Sequence, residues 1–277
     1  MQVNLGGIVH LSTVDWLGRA AMVIFLRGCP LHCSHCHNRE LQMGESFVEL
    51  SKVLGHIKVI KEIEHIADQL TLEEAISMTE AEPFLSALVL SGGEPLMQPN
   101  AVAALASLAR GLGMNVGIET CGYYYDHLQG ILDKGLADRI FLDIKAPMRE
   151  PEYRAVTGKK GSALRALKSL KTCMKSDIPF EVRTTVFPET QSLHVQDIAK
   201  TLSDLLVKSP ENQFDALVLQ QGQPRNREFE PVSLESLKAL AESIRNLRVE
   251  VRAASLAKMN KADNSENPKP KDVEERH

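Results

Sequence analysis

Three cysteines stand close together in a thiol-poor chain. Cys29, Cys33 and Cys36 fall within RGCPLHCSHCHN at 27–38, and the next cysteine, Cys121, lies far downstream. Thiolates select soft or borderline metals, and most metal sites built on cysteine alone use four of them. Three thiolates admit two kinds of chemistry. One is a zinc site completed by His32, His35 or His37, in which case the chain is a non-enzymatic zinc-stabilised binding module. The other is a 4Fe–4S cube anchored at three corners, whose fourth iron is left to coordinate something else. Spacing alone leaves both open.

A second group is Ser91-Gly92-Gly93-Glu94-Pro95. Two adjacent glycines remove side chains and let the backbone approach a ligand closely. Glu94 then offers a carboxylate to a ligand ammonium, and the blander reading is a tight turn. Further polar residues follow short apolar runs: Glu119-Thr120-Cys121-Gly122, Asp143 with Lys145, Arg183-Thr184-Thr185, and Gln220-Gln221.

Such residues need strands to carry them. Apolar runs at 21–28, 86–93, 114–122, 138–147, 179–188 and 214–222 each end in a polar or Gly-rich stop and read as strands buried on both faces. Helical patterns alternate with them at 71–85, 99–113, 162–176, 192–209 and 233–247. The first opens with Thr71 and Glu74 in a capping-box arrangement, and the second opens with Pro and closes with Gly. β then α, about six times over, implies right-handed βαβ units, as an open doubly wound sheet or a partial barrel. Ligands bind at the carboxyl ends of parallel strands, where all the polar groups above would converge.

The chain has 277 residues, 43% hydrophobic and 25% charged, with net charge −4. A chain of this length buries roughly 75% of its unfolded surface and needs no disulfide staples. The charge gives no nucleic-acid footprint. No apolar run is long enough to span a bilayer, and the first residues do not read as a secretory signal, so no membrane association is expected. Five cysteines, an odd number, argue for a reducing, cytoplasmic setting. A single domain at 1–257 is expected, with 45–69 a peripheral insertion and 258–277 a polar, disordered tail. Cys173 reads as a packed residue on its helix, Lys159-Lys160 as a solvated loop, and Trp16 as facing either the barrel or a partner. His10, His56, His65, His127 and His194 show no ligand spacing.

Cys29-x3-Cys33-x2-Cys36 followed by SGGEP resembles the radical S-adenosylmethionine enzymes, over residues 10 to about 225. The resemblance implies a partial (β/α)6 TIM-like barrel of parallel strands with outer helices. It implies one 4Fe–4S cluster whose open iron is chelated by the amino and carboxylate groups of S-adenosylmethionine. One electron then breaks the 5′ C–S bond and yields a 5′-deoxyadenosyl radical, so the chain would be an oxidoreductase. TVDWLGR (13–19), FLRGCPLHCSHCHN (25–38) and ETCG (119–122) resemble the glycyl-radical-enzyme activating enzymes. STVDW with LQQ (219–221) is most similar to the archaeal-type activating proteins of anaerobic ribonucleoside-triphosphate reductase. That group takes a hydrogen from a glycine of a partner enzyme, and draws its electron from a low-potential flavodoxin or ferredoxin.

Residue by residue, the resemblance implies that Cys29, Cys33 and Cys36 hold the cluster. It places His35 and His37 against the adenine, Gly92, Gly93 and Glu94 at the methionine amino group, and Glu119 and Thr120 near the methionine and ribose. Asp143 and Lys145 match a D-x-K element, where acidic residues also help to hold a monovalent cation. Arg183 and Thr185 match contacts from the fifth strand. Gln220 and Gln221 replace a segment that carries a His in pyruvate formate-lyase activators, which points away from that partner. A small-molecule substrate, as in 7-carboxy-7-deazaguanine synthase, is the alternative.

Overall fold

The computed structural model describes residues 1–68, 85–224 and 229–253. The helix read at 71–85 falls almost wholly outside these residues, and the tail at 258–277 entirely so.

The six strands read from the sequence form β2 (Ala21–Leu26), β4 (Ala87–Gly92), β5 (Asn115–Thr120), β6 (Arg139–Asp143), β7 (Phe180–Val186) and β8 (Phe214–Gln221). Each pairs in parallel with the next. Three further strands extend the sheet: β1 (Gln2–Ser12), β3 (Phe47–Glu49) and β9 (Val249–Arg252). β1 runs antiparallel to β2 and β3, whereas β9 continues the parallel set beside β8. The order is β3-β1-β2-β4-β5-β6-β7-β8-β9.

Period-two alternation gives the strands two different faces. Met22, Ile24, Leu26, Leu88, Leu90, Ile140, Leu142, Phe180 and Val182 join one large core. Against it lie α2 (Pro99–Gly111), α3 (Tyr125–Asp133), α5 (Ser162–Lys175), α6 (Ser192–Leu206) and α7 (Leu234–Glu242). Their apolar stripes, such as Val102, Leu105 and Ala109 of α2, supply the other half of that core. Cys173 is buried there, as its helical position suggests. The segment 45–69 contains β3 and α1 (Leu50–Asp68), whose Leu50, Val53 and Ile57 are buried in the same core.

The opposite face holds a small apolar layer of Ala21, Val23, Ala87, Val89, Phe141 and Trp16. Trp16 is 8% exposed and meets Phe141 edge to face at 5.6 Å. Gly117 makes room for it: a Cβ there would lie 3.0 Å from the indole and 2.8 Å from Phe141. Phe25 on β2 and Arg252 on β9 line one cavity, so the sheet curls round that face into a partial barrel.

Candidate active site

The cavity has a volume of about 910 Å³ and sits over the carboxyl ends of the strands. Cys29, Cys33 and Cys36, all half-buried, line it from the loop after β2. Gly28 starts that loop with φ +101°, and its N–H donates to Leu41 O at 2.7 Å. Cys29 N–H donates to Gln42 O at 3.1 Å, and Asn38 Nδ2 donates to Gly92 O at 3.2 Å.

The glycine pair lines the cavity and also packs against the chain's own backbone. Gly92 has φ +131°, and a Cβ on it would lie 2.1 Å from Leu26 O. A Cβ on Gly93 would lie 2.4 Å from Gly28 O. The close approach is to the chain itself: SGGEP is welded to β2 and to the start of the cysteine loop, with Gly93 N–H on Leu26 O and Glu94 N–H on Gly28 O, both at 2.8 Å. Glu94 is fully buried and does not line the cavity. Its carboxylate accepts from Thr120 Oγ1 at 2.8 and 2.9 Å, Cys121 N–H at 2.8 Å and Leu96 N–H at 3.0 Å. Burial pushes its pKa up against these donors. Three donors make four contacts with its oxygens, so Glu94, expected at a ligand ammonium, braces the turn after β5.

The other predicted positions, His35, His37, Gly92, Gly93, Glu119, Thr120, Asp143, Lys145, Arg183 and Thr185, all line the cavity. Glu119 is fixed by Ser91 Oγ at 2.6 Å and by Arg183 Nη1. Arg183 also donates to Glu181 at 2.6 Å and to Asp15 O at 3.0 Å, and its guanidinium lies 4.1 Å from the Phe141 ring centre. Glu181 in turn accepts from Arg252 at 2.7 and 2.9 Å and from Arg139 at 3.2 Å. Lys145 pairs with Asp143. Burial alone would lower the Lys145 pKa, but Asp143 and the nearby Cys33 outweigh it and hold it raised.

Further residues complete the walls. Phe187 and His35 stack with centroids 4.4 Å apart, and Glu189 pairs with His35. Gln220, Gln221 and His194 also line the cavity. Cys121 is buried beside Cys29, shares a hydrogen bond with it and lowers its pKa. His10 and His56, far apart in sequence, meet Nε2 to Nε2 at 2.8 Å.

The donors fit a cluster and a zwitterionic cofactor. Among the described residues, no three His, Cys, Asp or Glu side chains converge on one metal ion. A cube needs no such convergence, since each thiolate holds a different iron. Burial pushes the Cys33 thiol up to about 11, so a metal bound there would have to displace its proton. Asp143 Oδ1 is buried without a partner and is free to accept from a ligand.

Fold and site together define a parallel α/β partial barrel with a three-cysteine loop lining its cavity. The radical SAM superfamily model matches residues 23–202, and the chain belongs to that superfamily. Its cofactors are a 4Fe–4S cluster and S-adenosylmethionine. A Methanocaldococcus jannaschii protein, provisionally named a glycyl-radical enzyme activating enzyme, is 29% identical over 82% of each chain. The pyruvate formate-lyase-activating enzyme of Clostridium pasteurianum is 29% identical over 56% of this chain and 58% of its own length. The 7-carboxy-7-deazaguanine synthase of Thermococcus kodakarensis is 25% identical over 72% of this chain and 76% of its own. Among solved structures, TYW1 with a lysine-pyruvate adduct bound is similar in fold, with TM-score 0.56 at 15% identity over 83% of this chain and 75% of that one. Among the described residues, no helix is long and apolar enough to cross a membrane.

Proposed function

We propose that this radical SAM enzyme activates a glycyl-radical partner enzyme, and that the partner is an anaerobic ribonucleoside-triphosphate reductase. When bound, the cluster and S-adenosylmethionine supply a 5′-deoxyadenosyl radical, which takes a hydrogen atom from a glycine Cα of the partner and leaves 5′-deoxyadenosine and a glycyl radical.

The observation that carries this reading is the internal pairing of the cavity's charges. A small polar substrate requires several unspent polar groups aimed at it. Here Glu119 and Arg183 are bound to each other, and Arg183 and Arg252 are both held by Glu181, which lies behind the cavity wall. Val14 and Leu17, which line the cavity, are instead apolar and more than half exposed. Such a wall suits a glycine-bearing backbone loop better than a polar heterocycle. Similarity to the M. jannaschii protein across most of both chains supports the same reading.

In this reading Cys29, Cys33 and Cys36 hold the cluster. Lys145 stays protonated on Asp143 and faces the cofactor carboxylate, while the free Asp143 oxygen takes a cofactor hydroxyl or a monovalent cation. Ser91 and Arg183 hold Glu119 in one orientation toward the methionine and ribose, beside Thr120, Thr185, Gly92 and Gly93. His35, stacked on Phe187, and His37 flank the adenine, and Glu94 acts through the turn that it braces.

The test is anaerobic reconstitution with S-adenosylmethionine, dithionite and the organism's own anaerobic reductase. A glycyl EPR doublet on the reductase is expected. No partner radical, with a modified small molecule instead, would favour chemistry like that of the T. kodakarensis relative.

A further inference from the structure

We propose that the outer face of the cysteine loop is the docking surface for an acidic, low-potential one-electron carrier protein. This rests on the radical chemistry of the superfamily and is independent of which partner gives up the hydrogen.

The chain is acidic overall, with net charge −4. Yet between 146 and 170 six basic residues, Arg149, Arg154, Lys159, Lys160, Arg165 and Lys168, stand against two carboxylates. Both carboxylates are engaged: Glu150 accepts from Gly161 N–H at 2.9 Å, and Glu152 from Arg149 at 2.8 Å. Arg154, Lys159 and Lys160 are exposed and form no ion pair among the described residues.

These cations sit on α4 (Glu152–Thr157) and the turn that follows it, which is the segment that grips the cysteine loop. His32 N–H donates to Thr157 O at 2.9 Å, and Ser34 N–H donates to Val156 O at 3.2 Å. Cys33 lies between those two anchors. Gly158, at φ +67°, packs so closely that a Cβ would lie 3.2 Å from His32 O. From the other side the exposed Arg39 donates to Ser34 O at 2.7 Å. The cationic surface is thus tied to the backbone on either side of one cluster ligand.

Location separates this surface from the substrate side. Ser34 and Val156 reach the cavity, but His32, Arg154, Lys159 and Lys160 do not line it. Each cleavage of S-adenosylmethionine takes up one electron. The carrier gives it up, is oxidised by one electron and dissociates. An exposed basic patch on an otherwise acidic protein raises the encounter rate with an acidic partner and selects against basic ones.

The test uses cluster-loaded enzyme carrying Lys159→Glu and Lys160→Glu, mixed with a strongly acidic photoreduced flavodoxin or with dithionite. Bleaching of the cluster absorbance gives the reduction rate. Flavodoxin-driven reduction is expected to slow about tenfold at low salt, with the gap closing at high salt as screening removes the steering. Dithionite-driven reduction and dithionite-driven partner activation should be unchanged. Lys159→Gln with Lys160→Gln should slow the flavodoxin reaction in the same direction by less, and Lys200→Glu with Lys208→Glu should have no effect. A wild-type flavodoxin rate in the Glu variant, or an equal loss in the control pair, overturns the proposal. Loss of dithionite-driven partner activation would assign the surface to the hydrogen donor and overturn it as well.

Discussion

The proposed cluster ligands and a buried brace were unequally visible in the sequence. Cys29, Cys33 and Cys36 were legible as one group of thiols because a single short loop supplies all three, and the structure sets all three along the cavity. Glu94 was legible as a residue but not in its destination. Its donors, Thr120 and Cys121, lie 26 and 27 residues away, and only the fold shows that they fill its carboxylate. Phe187 and Arg252 carry no motif, and nothing short of the structure brings them to the cavity. Replacing Cys33 by Ala should abolish the visible cluster absorption and S-adenosylmethionine cleavage together. The loss should exceed the roughly 10–100-fold that follows removal of a ligand's outer partner. Far-ultraviolet circular dichroism should stay unchanged, because the half-buried side chain is not part of the core. Cleavage that survives in this variant would refute the cluster assignment.

Among the elements, the central strands were readable from short apolar, β-branched runs that end in a polar or Gly-rich stop, although β7 carries Glu181 and Arg183 between its apolar residues. β1 was not, since Gly6 and Gly7 interrupt it and much of it is only half-buried. β9 is four residues long, and its Glu250 and Arg252 alternate with valines, so it resembles a surface turn in composition. Its value lies in that alternation: Arg252 reaches past β8 to close the ion-pair chain on Glu181 of β7. Burial would raise the Glu181 pKa, but Arg252 and Arg183 outweigh it and hold the carboxyl at about 2. A depressed acid stabilises the fold fully above its ordinary value of 4.5 and loses that stabilisation as pH falls toward 2. Glu181→Gln should therefore destabilise by on the order of 3 kcal/mol at pH 7, since it leaves Arg183 and Arg252 short of a counter-charge. Urea midpoints should show the gap between wild type and variant narrowing from pH 4.5 toward 2. A gap that does not change with pH would mean that the charge of Glu181 is not the source.

At the scale of the whole molecule, Trp16 closes the inner face with the one tryptophan the chain has. The sequence left open whether it faced the barrel or a partner, because its niche is made by Gly117 and Phe141 more than a hundred residues later. Gly117→Ala would push on both rings. A loss of about 1–3 kcal/mol is expected for such overpacking, together with a red-shifted tryptophan emission as the indole is displaced. Unchanged emission would mean that the ring already had room. Among the described residues, nine strands are joined by eight ladders, and β9 has no partner on its far side. A ring with a missing stave can widen without sacrificing a single inter-strand bond. Under the proposed function, a partner's glycine loop would then enter sideways while still folded, with no need to be threaded through the top by a free end.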